Sequence, residues 1–176
     1  MKTKELSFIA IFSVIIAVCS LISIPSAVPF TLQTFAVFLA LLLLGSKRAF
    51  YSILCFIFMG VIGLPVFAGG KAGIAALMGP TGGYIIGFLV MPAVYAIFEK
   101  NEKMHILAMI LGLLILYVFG TAWFMIVYTS TKGEVALAKV LGWTVLPFII
   151  PDLLKLFLAF ILSKRLKPSL SRMLNA

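Results

Sequence analysis

The sequence predicts an all-α integral membrane protein, a six-transmembrane-helix bundle with both termini cytoplasmic. Three observations carry this. The chain has 176 residues, of which 64% are apolar and 11% charged, and its mean hydropathy is +1.25, whereas a soluble domain is about 45–50% apolar. Six runs of about 20 residues use up most of that length and leave little for an extramembrane domain, so residues 1–176 read as one transmembrane domain. Basic residues alternate between run ends: Lys2, Lys4, Lys47, Arg48, Lys100, Lys103, Lys164, Arg165, Lys167 and Arg172 fall on one side, against Lys71, Lys132 and Lys139 on the other. The positive-inside rule then puts the first side in the cytoplasm.

Span 1 runs from about Leu6 to Ile24. Met1-Lys2-Thr3-Lys4 before it resembles a signal peptide, but the run is long and Pro25-Ser26-Ala27 is a poor cleavage site, so the span is retained. Pro25 to Pro29 forces extended or turn backbone. Span 2 starts near Val28 and ends at Gly45, with irregular first turns, because its core after Gln33 is only about a dozen residues. Span 3 covers Ala49 to about Leu64. The glycine-rich segment from Val66 to Gly79 reads as a loop packed into the protein, not a helix facing lipid. Span 4 is Pro80 to Phe98, with proline at a good first-turn position. Span 5 is His105 to Tyr128 and span 6 is Val140 to Leu162. A basic tail from Lys164 to Ala176 is either a terminal helix or a frayed end.

The net charge of +9 marks topology, because the basic groups never form a continuous patch interleaved with aromatics; nucleic acid is excluded. Cys19 and Cys55 lie inside apolar runs without metal-ligand spacing. His105, the single histidine, reads as a surface residue at the membrane interface. Asp152 is the one acid within a span, no nucleophile has a base beside it, and no metal cluster or Walker loop exists, so an enzyme is not expected.

Asp152 and Lys155 lie three apart, on one face of span 6. Facing lipid, each charge costs about 2.5–3.5 kcal/mol, so both must face protein, water or ligand. Pro147 and Pro151 interrupt the helix ladder beside them and free the carbonyls of Trp143 and Pro147, which makes a kinked, polar site. Glycines around Gly70 and Gly82, with Thr81 and Tyr84, offer either close backbone approach to a ligand or helix packing, Gly79, Gly83 and Gly87 being spaced by four. Gln33 stands at the outer entrance of span 2, on the same side as this loop and the start of span 6. An outward-facing pocket follows. On span 1, Ala10, Ser13, Ala17 and Ser20 form a stripe of small residues suited to close approach, within the bundle or to a partner.

Pro29-Phe30-Thr31-Leu32-Gln33-Thr34, Gly63-Leu64-Pro65-Val66-Phe67-Ala68-Gly69-Gly70, Gly79-Pro80-Thr81-Gly82-Gly83-Tyr84 and Pro151-Asp152 with Lys155 together resemble the BioY family, the biotin-specific S component of energy-coupling factor (ECF) transporters. The resemblance runs over nearly the whole chain. It implies a multi-pass protein of the cell membrane that captures biotin from outside for ATP-driven uptake. Delivery would need a transmembrane coupling subunit and ATPase subunits, with no cofactor held by this chain. It implies substrate contacts from Gln33, Phe67, Gly70, Thr81, Gly82, Tyr84, Trp143, Asp152 and Lys155, and contact of Ala10, Ser13 and Ala17 with the coupling subunit. A serine replaces an alanine in that stripe, and the segment from Lys71 to Met78 is less glycine-rich than the family pattern. Asp152 is suited to accept a ureido N–H, while Lys155 serves either the ureido carbonyl or the carboxylate of biotin. The alternatives are a solitary ion-coupled vitamin transporter with Asp152 as its proton site, and a membrane scaffold in which Asp152 and Lys155 form a structural ion pair.

Overall fold

The structure is a computed structural model that describes residues 3–175. Met1 and Lys2 of the basic N-terminus, and Ala176 at the end of the tail, lie outside the described residues. The chain is a helical bundle: α1 (Thr3–Leu21), α2 (Gln33–Leu44), α3 (Ser46–Val61), α4 (Ile74–Met78), α5 (Gly82–Gly87), α6 (Val90–Phe98), α7 (His105–Lys132), α8 (Leu137–Thr144) and α9 (Leu146–Asn175). Among the described residues, three helical stretches are long and apolar enough to cross a membrane singly: Thr3–Leu21, Glu102–Lys132 and Leu137–Leu170.

Helix α2 organises the bundle. Its sequence is apolar all round, which suits a helix surrounded by protein, and every residue from Ala36 to Leu44 is buried. It packs most extensively on α9, and also on α1 and α3. Its 12 residues span only about 18 Å. The proline segment before it forms a small hairpin, in which β1 (Ser23–Ile24) pairs antiparallel with β2 (Phe30–Thr31), Ile24 opposite Phe30. The extended backbone expected there is therefore present, and span 1 ends three residues early because Ser23 and Ile24 leave the helix for this ribbon.

Two predicted spans are each divided. Span 4 breaks into α5 and α6 through a tighter turn, with the Leu89 amide donating to the Ile86 carbonyl at 3.0 Å. Span 6 is interrupted at Val145 (φ −125°, ψ −58°), and Pro147 falls in the first turn of α9, where its missing N–H has no helix partner to lose. The kink expected from Pro147 is thus a break between two helices. Pro151 does lie inside α9, and the helix continues through the basic tail to Asn175.

The small-residue stripe on α1 divides. Ser13 and Ala17 are buried, as is Ser20, against the α2 and α3 side of the bundle, while Ala10 is exposed. Small side chains there serve close packing inside the bundle; the expected partner surface of Ala10, Ser13 and Ala17 keeps only Ala10 on the outside. The glycines of α5 also pack: a Cβ on Gly83 would lie 2.2 Å from the Trp123 side chain, and one on Gly87 2.8 Å from Leu116. His105 is not a surface residue. It is 7% exposed, its Nε2 is 3.0 Å from the Glu99 carbonyl oxygen, and its ring lies 5.1 Å from that of Tyr95.

At the same end, the Glu99 carboxylate accepts both the amide and the hydroxyl of Ser46, placing an anion at the start of α3, where the helix dipole favours it. Gly45 takes φ +82° in that turn. Arg48 pairs with Glu5 at 2.6 Å and ties α3 to α1.

Candidate functional site

The interruptions and short helices of the bundle leave one end of α2 uncovered by regular packing, and a cavity of about 700 Å³, counting its open mouth, lies there. Gln33 and Thr34 reach it from the start of α2, Phe67 and Lys71 from the loop before α4, Tyr84 from α5, Tyr117 from α7, and Asp152 and Lys155 from α9.

Asp152 and Lys155 are 3% and 5% exposed. Lys155 Nζ donates to Asp152 Oδ1 at 2.8 Å, and the Tyr117 hydroxyl donates to Oδ2 at 2.7 Å. Each carboxylate oxygen thus has a donor, and one of them bears a charge, which is what a buried anion requires. Lys155 Nζ also lies 4.3 Å from the centroid of the Phe30 ring, which stacks on Phe148 at 5.3 Å. An aromatic face beneath the ammonium compensates part of its lost hydration. The break between α8 and α9 makes a second polar group. The Phe148 amide turns to the Val145 carbonyl, so the Thr144 carbonyl accepts instead from the Tyr84 hydroxyl at 3.5 Å, while Tyr84 Oη and Thr121 Oγ1 are 3.0 Å apart.

Gln33 differs from these groups. The residue is 95% buried and lines the cavity, yet among the described residues Nε2 has no hydrogen-bond partner. An unmet buried donor costs about 1–3 kcal/mol. The arrangement presents that donor, a carboxylate and an ammonium to one space.

The loop that carries Phe67 is fixed by a tight reversal: the Phe67 amide donates to the Lys71 carbonyl at 3.1 Å, with Gly69 and Gly70 both at φ +72°, a region that L side chains rarely occupy. The Phe67 ring inserts against α3, so close that a Cβ on Gly60 would lie 2.0 Å from Cζ. Lys71 is left exposed at the mouth, where it also borders an outer vestibule with Pro29, Pro80 and Thr81.

Of the residues singled out from sequence, Gln33, Phe67, Thr81, Tyr84, Asp152 and Lys155 converge on this cavity. Gly70, Gly82 and Trp143 do not line it. Gly70 forms the reversal just described. Gly82 packs on the chain before it, since a Cβ would lie 1.6 Å from the Leu77 carbonyl oxygen. Trp143 faces Tyr128, with ring centroids 5.8 Å apart, beneath Lys139. Sequence reasoning missed Tyr117, Thr144, Phe148 and Lys71. The first carries a readable signal: a tyrosine in the middle of an apolar span has a hydroxyl that needs a partner.

A sequence profile described as the BioY family matches residues 1–172. The chain belongs to the BioY family. Among its relatives, a probable biotin transporter BioY of Pyrococcus horikoshii is 42% identical over 95% of this chain and 98% of its own. The biotin transporter BioY of Thermotoga maritima is 37% identical over 93% and 96%. The crystal structure of an S-component for biotin from an ECF-type ABC transporter superposes with a TM-score of 0.82 at 29% identity, covering 96% of this chain and 95% of that one. The family is one of membrane transporters, not of enzymes.

Proposed function

We propose that this chain is the substrate-capture component of an ECF-type importer, taking biotin from outside the cell and passing it to a transmembrane coupling subunit powered by ATPase subunits. Residues 1–176 form its single transmembrane domain in the plasma membrane, with six crossings and both termini cytoplasmic. The alternating distribution of basic residues supports that orientation, as does the location of the cavity at the end of the bundle that bears Lys71.

The observation that carries the reading is the set of three polar side chains in one cavity: the Asp152 carboxylate, the Lys155 ammonium and the unpaired amide nitrogen of Gln33. A ureido ring offers two N–H donors and one carbonyl acceptor. Asp152 accepts an N–H, Lys155 and Gln33 donate to the carbonyl, and Phe67, Tyr84 and Phe148 enclose the apolar ring system. Lys155 already has its counter-anion, whereas Lys71 has no ion-pair partner among the described residues and stands at the mouth. The carboxylate tail therefore points outward to Lys71, and Lys155 serves the ureido carbonyl. Thr81 sits beside this exit. Gly70 and Gly82 act by shaping the loop and α5, and Trp143 by packing.

Titrating purified protein in detergent with biotin and with biotin amide tests both parts. Biotin is expected to bind, and Lys71→Gln to weaken biotin while leaving the uncharged amide unchanged. No binding of either ligand refutes the function. An equal loss for both refutes the orientation alone.

A further inference from the structure

The far end of α2 from Gln33 borders a second groove, of about 1080 Å³ and open to solvent, between the start of α7 and the second half of α9. Its floor includes Leu42 and Phe160, and its rim carries Lys103, Lys164 and Lys167 with one acid, Glu102. Glu102 is taken by Lys167 at 2.6 Å. Lys164 Nζ stands 4.5 Å from the centroid of the Phe160 ring, and Lys103 has no ion-pair partner among the described residues. Among the described residues neither Lys103 nor Lys164 thus has an ion-pair partner of its own, although the Glu102 charge also reaches Lys164, and both stand beside an apolar floor.

The groove also sits at a boundary. Exposed apolar residues continue along the helices away from it, at Ile106 and Leu107 on α7 and at Ile161 on α9, while its own exposed side chains, Pro168 apart, are charged. That is the level at which hydrocarbon gives way to headgroups. A small aqueous anion would find the lysines there but would have no use for the floor. An amphiphile with one negative charge uses both.

We propose that this groove is a binding site for an anionic phospholipid, with the phosphodiester held by Lys103 and Lys164 and an acyl chain laid over Leu42 and Phe160. The charges are complementary: two ammonium groups flank one phosphodiester, as basic pockets between spans do. The site is separate from the biotin cavity and does not depend on what that cavity holds.

The test uses delipidated full-length protein in a neutral detergent, titrated with phosphatidylglycerol or phosphatidylcholine and read by native mass spectrometry. Wild type is compared with Lys103→Gln/Lys164→Gln and with a charge-matched control at the other end of the bundle, Lys132→Gln/Lys139→Gln. Biotin binding is measured in parallel to certify each fold. Wild type is expected to prefer phosphatidylglycerol, and the groove variant alone to lose at least about fivefold in affinity for it. If the double variant does not fold, Lys103→Gln is expected to give a smaller loss of the same kind. Equal affinity for phosphatidylcholine, an equal loss in the control, no loss in the groove variants, or displacement of the lipid by millimolar inorganic phosphate would overturn the proposal.

Discussion

Neutralising Asp152 gives the sharpest test of how the cavity is built. Its Oδ1 holds Lys155 at 2.8 Å and its Oδ2 holds Tyr117 at 2.7 Å, and both charged residues are buried. Asp152→Asn leaves the Lys155 ammonium without a counter-charge, with a neutral amide oxygen and the face of Phe30, the latter an interaction of about 0.5–2 kcal/mol, against about 3–5 kcal/mol for breaking a buried pair by removing one partner. Lys155→Met leaves the carboxylate with the tyrosine hydroxyl alone. The double variant orphans neither charge. Each single substitution is expected to lower unliganded thermal stability and to weaken biotin at least about tenfold, or about 1.4 kcal/mol. The double variant is expected to regain most of the stability and none of the binding. Thermal unfolding in detergent and biotin calorimetry on the four proteins measure both effects. Stability changes that add to within about 0.5 kcal/mol would refute the coupling, and unchanged biotin affinity in Asp152→Asn would refute the role given to the carboxylate.

Gln33→Leu is expected to have effects of opposite sign: it removes a buried donor that has no partner, so the unliganded protein unfolds at a higher temperature, while biotin binds more weakly. A fall in unliganded stability would mean that Nε2 already has a partner. Gly60→Ala pushes a methyl group into the Phe67 ring; a cost of about 1–3 kcal/mol is expected by thermal unfolding, with weaker biotin binding because the same ring walls the cavity. A variant as stable as wild type would show that the loop carrying Phe67 shifts freely.

Apolar run length and composition made the membrane fold legible, because a bilayer demands long uninterrupted apolar helices and leaves charge only at their ends. The same constraint exposed Asp152 and Lys155: two charges within one span cannot be hidden by any local arrangement, so their importance was readable without coordinates. The division of spans 4 and 6 was less so. Prolines signal a break, but whether it becomes a kink or two helices depends on what donates to the freed carbonyls, here the Tyr84 hydroxyl reaching the Thr144 carbonyl.

Glycines posed the same difficulty. Gly70, Gly82, Gly83 and Gly87 look alike in sequence, and only the positive φ of Gly70 and the neighbours that press on the other three, Leu77, Trp123 and Leu116, separate turn and packing from ligand contact. Small residues on α1 could serve any close approach, and burial of Ser13 and Ala17 assigned them to the interior. His105 followed from the same cause, since a helix start is wet or dry according to what packs over it, here Tyr95 and the Glu99 carbonyl. By itself, then, the sequence determined the solvent this protein lives in and the charged pair it must shelter. The tertiary structure alone decided what shelters it, with Tyr117 donating to the acid, Phe30 beneath the base and Gln33 left unpaired beside them, because those partners are distant in the chain and meet only when the helices pack.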